Sequence, residues 1–211
     1  SNDDAMQAAF HAGEDIHRAV ASEVFDTPLQ DVTGEQRSAA KMVNFGIVYG
    51  VTPYGLARRL DQDVPRAARI INDYKARFTG IESFLETCVE KARQDGFVET
   101  MCGRRRAIND INSPNGQTRA MAERLAINSV VQGSAADLIK IAMINVHRGL
   151  SEIEPRARLI LQVHDELVLE APRESAELVQ KFLVSTMESA MDLAIPLLVD
   201  ASIADNWFDA K

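Results

Sequence analysis

Apolar and polar positions follow two kinds of pattern along this chain, and each kind predicts a different element. Over most of the first 150 residues the pattern is helical, and Gly, Pro and capping residues divide it into segments. The predicted helices are 3–24 with a break near Gly13, 35–50 ending at Gly50, a segment restarting at Thr52-Pro53, Pro65 to about Phe78, 81–94 between Gly80 and Gly96, and 117–150. Short apolar runs bounded by polar turns appear near residue 159 and predict strands.

The clearest strand signal is the stretch Leu159 to Ala171, LILQVHDELVLEA. Two arms rich in Val, Ile and Leu flank a polar turn of His164, Asp165 and Glu166, which predicts a partly buried hairpin. Adjacent carboxylates at its tip are suitable hard oxygen ligands for a divalent cation such as Mg2+. Asp is also common in solvated turns, so the hairpin alone leaves both interpretations open.

The remaining segments complete a predicted α+β fold. Residues 97–108 are expected to form a short hairpin that turns at Cys102-Gly103, and the composition of 109–116 indicates a loop and a domain boundary. An amphipathic helix over 173–193 and a strand over 196–203, returning to the sheet, are expected to follow the acidic hairpin. The sequence thus predicts a mostly helical part, 1–115, and a part with an antiparallel sheet, 116–211.

The helix predicted over 35–50 carries a row of side chains with a possible common use. Thr33 and Gln36 form a capping box at its start. Two cations and two aromatics then recur at four-residue spacing, namely Arg37, Lys41, Phe45 and Tyr49. On a helix that spacing gives one slanted row, in which the cations can hold phosphates and the aromatics can stack on a sugar and base. The alternative is an ordinary amphipathic helix whose aromatics lie in the core.

Two further groups of polar residues predict contacts with nucleic acid. Arg104, Arg105 and Arg106, in the hairpin over 97–108, suit phosphate contacts, although an exposed basic strand that deters edge pairing is the alternative. The mostly apolar helix over 117–150 carries a polar stripe at four-residue spacing, formed by Arg124, Asn128 and Gln132. This stripe predicts contact with a nucleic-acid backbone or minor groove, and hydrogen bonds to neighbouring backbone are the alternative.

Charge and composition narrow the class of protein. The chain has 211 residues, 46% of them hydrophobic, which suits one large domain or two small ones. Its net charge of −8 by itself argues against a nucleic-acid partner. The charge is uneven, however, because the stretch from Arg37 to Arg77 contains eight cations and only three Asp residues, whereas acids dominate after Glu152. Such a division suits a phosphate-binding surface with a separate metal-binding region. No membrane span or signal-peptide layout is visible, so no membrane partner is expected. Cys88 and Cys102 indicate free thiols in a reducing, intracellular protein.

Five motifs, in the right order over essentially the whole chain, resemble those of the family A DNA polymerases. The run R-x3-K-x3-F-x3-Y-G, Arg37 to Gly50, is similar to the fingers motif of that family, and QVHDE, Gln162 to Glu166, is similar to its palm motif. Three shorter segments also agree: DIH at Asp15–His17, T-x2-G-R-R at Thr100–Arg105 and E-R-x3-N-x3-Q-G at Glu123–Gly133. The resemblance implies a fingers subdomain over 1–115 and the C-terminal half of the palm over 116–211.

The resemblance implies template-directed DNA synthesis, in which a primer 3′-hydroxyl attacks the α-phosphorus of a deoxynucleoside triphosphate and pyrophosphate leaves. It also implies two Mg2+ ions, which would stabilise the attacking and leaving oxygens. By the same resemblance Asp165 binds metal, Glu166 helps place metal and primer end, and Lys41 also donates a proton to the pyrophosphate. The residues expected at the triphosphate, sugar and nascent base pair are His17, Arg37, Lys41, Phe45 and Tyr49. Those expected at the primer–template DNA are Arg104, Arg105, Arg119, Arg124, Asn128, Gln132, Gln162 and His164.

Some residues depart from the family pattern. Val20 stands where the family usually has Thr, which affects a small hydrogen bond near His17, and Phe45 in place of Tyr implies discrimination against dideoxynucleotides. The family's other palm motif, D-Y-S-x-I-E-L-R, carries the second metal-binding Asp and is expected just upstream of residue 1, with the thumb further upstream. The chain is therefore expected to be a fragment of a cytoplasmic, nucleoid-associated bacterial polymerase, and inactive or nearly so without the upstream palm and thumb segment.

Two other classes of function stay open at this point. The isolated chain could be a binding module for nucleotide or primer–template DNA without catalysis. It could also be a Mg2+-dependent nuclease or phosphohydrolase that uses His164, Asp165 and Glu166. That activity would need further carboxylates nearby, and the sequence offers no good second acidic cluster in a polar turn.

Overall fold

The computed structural model describes residues 1–210, with Glu23 described by its backbone only. In chain order the elements are α1 (Asp4–His11), α2 (Ile16–Phe25), α3 (Gly34–Val48), α4 (Pro53–Leu60), α5 (Val64–Arg77), α6 (Thr79–Asp95), β1 (Phe97–Glu99), β2 (Arg105–Ala107), α7 (Gly116–Ile153), β3 (Arg158–Val163), β4 (Glu166–Glu170) and α8 (Ala176–Glu188). Strand β1 pairs antiparallel with β2, and β3 pairs antiparallel with β4. The predicted α+β class, mostly helical with small antiparallel sheets, is confirmed.

Local sequence chemistry sets the start and end of α3 and the start of α4. The capping box is confirmed, because the Thr33 amide donates to Gln36 Oε1 at 2.9 Å and the Gln36 amide donates to Thr33 Oγ1 at 3.2 Å. Gly50, at a φ of +72°, follows the end of α3 in the left-handed region that favours glycine. Thr52 then caps α4 and Pro53 occupies its first turn, as predicted.

The chain forms two compact units, which divide at Val131 inside α7. In the first unit, helices α2, α3, α4, α5 and α6 all contribute buried apolar side chains to one core. Its largest fully buried members include Val43, Leu56 and Phe78. A smaller cluster lies under the β1–β2 hairpin, the loop after it and the first turns of α7. The assignment of fingers to 1–115 and palm to 116–211 stays a prediction.

The second unit has its own small core at the end of α7. Leu150, Ala157 and Val179 are buried there, with Phe182 packed against them. The Phe182 ring also lies directly on Gly149, where an added Cβ would be only 2.7 Å from its Cζ atom. Close packing of α8 on α7 therefore depends on the missing side chain at Gly149. Within residues 1–210 no helix combines the length and the apolar character that a membrane span requires.

The predicted strand over 196–203 is wrong, because the structure assigns no strand to these residues. Burial alternates along the segment, with Leu197 and Val199 half-buried and Leu198 exposed, so the pattern that suggested a strand is present. A strand also needs a backbone partner. Here the Val199 amide donates instead to Glu188 Oε1 at 3.2 Å, and the Ala201 carbonyl accepts from Gln180 Nε2 at 2.7 Å.

Two helix boundaries also differ from the prediction. Helix α8 ends at Glu188 rather than near residue 193, and a 3-10 turn over Arg173–Ser175 precedes it. Helix α6 begins at Thr79, so Gly80 lies in its first turn instead of separating two helices. The reason is tertiary: the buried Asp3 carboxylate accepts from the Met6 amide at 2.8 Å and from the Gly80 amide at 2.7 Å, so it caps α1 and supports the first turn of α6.

We expect Gly80→Ala to lower the free energy of unfolding by about 1–3 kcal/mol, the usual range for forcing extra atoms into a packed site. The added Cβ would lie 2.8 Å from the Asp3 Cα, a backbone atom that cannot rotate away. Urea denaturation followed by circular dichroism measures the change. Gly34→Ala is the matched control, because nothing lies within 4 Å of its added Cβ. Equal effects of the two substitutions would contradict the steric account.

The turn after α7 predicts a pH dependence of stability. Arg156 donates to both Glu154 carboxylate oxygens, at 2.9 and 3.1 Å, and its backbone amide donates to Oε1 at 3.1 Å. These bonds, together with one from Ser175, lower the pKa of Glu154 from 4.5 to about 2. Because the folded-state pKa is depressed, this stabilisation is complete above pH 4.5 and disappears as the pH falls through about 2.

Replacing Arg156 with Met should therefore reduce the loss of unfolding free energy between pH 4.5 and 2, and should lower stability at pH 7. Urea titrations at a series of pH values give this slope. Arg158→Met is the control, because it removes a nearby exposed guanidinium that takes no part in the Glu154 bonds. An acid slope in Arg156→Met equal to that of the unmodified chain would show that Glu154 does not carry the effect.

Candidate functional site

Helices α2 and α3 pack side by side and bring His17 to the predicted row on α3. Arg37 and Lys41 are exposed, and so is the Phe45 ring, at 47%. Phe45 therefore does not lie in the core, which removes that alternative for this residue. The Phe45 ring is stacked with that of Tyr49, with centroids 6.3 Å apart and planes inclined by 11°. The centroid of the His17 ring, on α2, lies 6.2 Å from that of Phe45. The structure thus groups all five residues predicted for the nucleotide on one surface of the first unit.

Asp15 holds this surface together from the start of α2. One carboxylate oxygen accepts from the Arg18 amide at 3.1 Å and caps the helix, while the other pairs with Arg37 Nε. Burial by itself raises the pKa of Asp15, but the hydrogen bonds from Arg37 and from the Arg18 backbone outweigh it, so the pKa lies below its usual value. Asp15 is therefore charged at neutral pH and fixes the guanidinium at the beginning of the row.

His17 is half-buried between the two helices. Burial lowers its pKa most, Asp15 raises it, and the cations Arg37 and Lys41 lower it further, so the net pKa lies below the usual value for histidine. The ring Nδ1 is 2.7 Å from the side-chain nitrogen of Asn44. The imidazole is thus mainly neutral at pH 7, next to two cations and hydrogen-bonded to a buried amide.

The first residue of the polar stripe on α7 lies at the end of the same row. The aliphatic part of Arg124 covers Gly50, where an added Cβ would be 3.4 Å from its Cγ atom. Asn128 is half-buried, and its Oδ1 has no hydrogen-bond partner among the residues that the structure describes. Gln132 is exposed and belongs to the second unit. Hydrogen bonds within the protein therefore do not use every polar atom of the stripe, because the Asn128 Oδ1 acceptor has no partner.

The other predicted arginines differ in how they are held. Arg105 pairs with Glu99 at 2.7 Å and lies over the Phe97 ring at 4.7 Å. Arg119 donates to the Ser113 carbonyl at 3.0 Å, close to the start of α7. Arg104 is exposed at the turn of the first hairpin. Phosphate binding by Arg105 would therefore have to compete with an intramolecular ion pair.

The acidic hairpin forms at the predicted place, with one change at its tip. Strand β4 begins at Glu166, which pairs with Val163, so the turn consists of His164 and Asp165. His164 has a φ of +53°, a conformation uncommon for residues other than glycine. The Gln162 side chain donates to the His164 carbonyl and supports the turn. Asp165 and Glu166 are both exposed, so their oxygens are accessible to solvent and ions.

This carboxylate pair fits part of a magnesium site. Carboxylate oxygens are the donors that Mg2+ prefers, and the hairpin presents two acidic residues in succession. However, among the described side chains, which exclude those of Glu23 and Lys211, no group of three or more His, Cys, Asp or Glu could hold a metal ion. Mg2+ is usually held by one or two carboxylates, with waters and substrate phosphates in the remaining positions, so this pair suits part of a site for one ion.

Two residues of the site were not predicted from the sequence as contributors. In the sequence Asp15 stands out only as part of the DIH motif, although an Asp directly before a helix is a visible N-cap signal. Asn44 had no signal, because it stands between Val43 and Phe45 in an apolar stretch. Its role depends on α2, which places the partner His17 opposite it.

Comparison with known proteins identifies the class to which this fold and surface belong. The family described as DNA polymerase family A matches residues 1–209, and this chain belongs to that family. DNA polymerase I from Lactococcus lactis subsp. cremoris (strain MG1363) is 47% identical over 212 residues, covering 100% of this chain and 24% of the relative. DNA polymerase I from Geobacillus stearothermophilus is 46% identical over 211 residues, covering 100% of this chain and 24% of that protein.

A solved structure agrees with these relatives. The POL domain of Pol1 from M. smegmatis, in complex with DNA primer-template and dNTP, superposes with a TM-score of 0.92 at 39% sequence identity. The match covers 99% of this chain and 37% of that chain. The predicted family is thus confirmed, and the chain spans about a quarter of the length of the curated relatives it matches.

The electrostatics of this surface give a direct test of its geometry. Besides burial, Asp15 acts on the pKa of His17 by raising it. We expect Asp15→Asn to lower the pKa of His17 further, because Asn keeps the capping oxygen but removes the negative charge. A pH titration of the His17 ring by NMR measures the shift. Asp73→Asn, at an exposed position of α5, should leave this pKa unchanged, and a higher His17 pKa in Asp15→Asn would contradict the geometry.

Proposed function

We propose that this chain provides the deoxynucleoside triphosphate site and part of the metal site of a DNA polymerase that extends a primer along a template. The observation that carries the proposal is the surface of α2 and α3, where two exposed cations and a half-buried histidine adjoin two stacked aromatic rings. Membership of DNA polymerase family A supports it. The solved relative was captured with DNA primer-template and dNTP, the ligands that such a surface would require.

In this proposal each side chain of the row has a distinct task. Arg37 and Lys41, one helical turn apart, bind the phosphates, and Asp15 keeps the Arg37 guanidinium in place. The exposed Phe45 ring packs on the sugar and selects against dideoxynucleotides, and Tyr49 supports the nascent base pair. Lys41 is also the candidate proton donor to the pyrophosphate, since its ammonium group lies on the phosphate-binding part of the row.

Asp165 and Glu166 are proposed to hold Mg2+ together with carboxylate donors from a further palm segment. Bound Mg2+ would stabilise the negative charge on the attacking and leaving oxygens. Further donors are proposed because one carboxylate pair is a small donor set for two ions that must lie close together, and the described side chains form no larger acidic group. We therefore propose that synthesis requires an upstream palm and thumb segment, and that the chain by itself binds nucleotide and DNA without extending a primer.

The primer–template is proposed to contact α7 and the tips of both hairpins. The residues assigned to it are Arg104, Arg105, Arg119, Arg124, Asn128, Gln132, Gln162 and His164. The unpartnered Oδ1 of Asn128 supports this assignment, since a buried acceptor is stabilised when a ligand supplies a donor. A protein with this task would act at the bacterial nucleoid.

Primer extension by the polymerase that contains this chain tests the proposal. Asp165→Asn removes a charged ligand at constant size, so synthesis should fall about a thousandfold while DNA binding persists. Lys41→Ala should raise KM for the deoxynucleotide and lower kcat, with a combined loss of about a hundredfold. Lys140→Ala, at an exposed position of α7, is the control for loss of a cation.

Three outcomes would contradict parts of the proposal. Undiminished synthesis by Asp165→Asn would remove this residue from the metal site. Primer extension by the 211-residue chain alone would show that its own carboxylates suffice. Equal losses in Lys41→Ala and Lys140→Ala would show that the row on α3 has no special role.

A further inference from the structure

Asn44 is a buried polar residue at a position where α3 faces α2. It is 6% exposed and lies three residues after Lys41, on the side of the helix that meets His17. Its side-chain nitrogen is 2.7 Å from the Nδ1 atom of His17. An amide nitrogen can only donate a hydrogen bond, so Nδ1 must accept it with its lone pair. In a neutral imidazole the proton is then on Nε2.

We propose that Asn44 is a positioning residue, which fixes the tautomer and orientation of His17 so that Nε2–H can donate to a phosphate of the bound nucleotide. This inference deepens the proposed function and rests on it for the identity of the ligand. Asn44 itself does not touch the nucleotide and acts through His17. The tautomer, by contrast, is a property of the protein without any ligand.

The tautomer matters because the ring is neutral. Arg37 and Lys41 on α3 disfavour a third positive charge, burial has the same effect, and Asp15 on α2 only partly opposes it. An imidazolium would donate from both nitrogens whatever Asn44 did. A neutral ring donates from one nitrogen only, and with the opposite tautomer Nε2 would present a lone pair that repels phosphate oxygens.

The opposite orientation of the Asn44 amide gives a clear alternative. With Oδ1 toward the ring, Nδ1 would have to carry the proton, and Nε2 could no longer donate from a neutral ring. In this orientation the lone pair of His17 Nε2 would point at the phosphate and repel it. Only Arg37 and Lys41 would then contribute to phosphate binding. The geometry in the structure avoids that loss.

Stability does not account for an asparagine at this position. Asn44 Oδ1 is buried and has no hydrogen-bond partner within the described part of the chain. A buried acceptor without a partner destabilises a fold, whereas an apolar side chain of similar size would not. A role in the site explains why a polar group is present here. It also means that Asn44→Leu should fold, with a thermal midpoint equal to or above that of the unmodified chain.

The first experiment reads the tautomer directly. The 15N resonances of the two ring nitrogens of His17, measured in the 211-residue chain at a pH where the ring is neutral, distinguish a protonated nitrogen from an unprotonated one. We expect Nε2 to be protonated in the unmodified chain and both tautomers to be populated in Asn44→Leu. Asn72→Leu, the same change at an exposed position of α5, should leave the ring unchanged. A protonated Nδ1 in the unmodified chain, or the same tautomer in Asn44→Leu, would overturn the proposal.

The second experiment tests whether Asn44 acts through His17. In the polymerase that contains this chain, Asn44→Leu should raise KM for the deoxynucleotide about three- to tenfold, the effect of losing one hydrogen bond. In a His17→Ala background the same substitution should have no further effect. Additive effects of the two substitutions would overturn the proposal. If His17→Ala alone left KM unchanged, the assignment of His17 to the nucleotide would fail, while the tautomer measurement would still decide the role of Asn44.

Discussion

The close packing of α2 against α3 is the contact on which the candidate nucleotide site depends. Ala21 and Ala40 are fully buried, and small side chains allow two helix backbones to approach closely. That approach brings His17 within hydrogen-bond distance of Asn44 and lets Asp15 reach Arg37. Any change that separated the two helices would therefore remove both partners from the row on α3 without altering the row itself.

Local charge, rather than net charge, determines what this surface can bind. The chain as a whole carries a net charge of −8, yet Asp15, an acid beside the row, is paired with Arg37 and caps a helix. Lys41 remains exposed one turn further along. Outside the row, Arg105 is already paired with Glu99, so its positive charge is partly compensated. The ability of a basic residue to bind an anionic ligand therefore depends on whether its charge is already compensated by an ion pair within the protein.

The acidic hairpin has the opposite character, because it is accessible but incomplete. Its carboxylates are exposed at a turn that His164 closes with a left-handed backbone conformation. In residues 1–210 its two strands pair only with each other, and the segment around Val199 is bonded to side chains of α8. Both observations are compatible with the proposal that a further segment contributes to the metal site. The relatives, of which this chain spans about a quarter, have the length for such segments.

The sequence alone determined the helices with local capping signals, the two hairpins and the row on α3, because each depends on residues close together in the chain. It also determined the family, because five motifs follow one another in the expected order along the chain. Three features needed the tertiary structure. Helix α6 begins before Gly80 because the distant Asp3 accepts its amide. Residues 196–203 alternate in burial but form no strand, since pairing depends on a neighbour and not on periodicity. Asn44 looks like part of an apolar stretch until α2 places His17 against it, because a hydrogen bond between helices is fixed by packing, which local sequence does not encode.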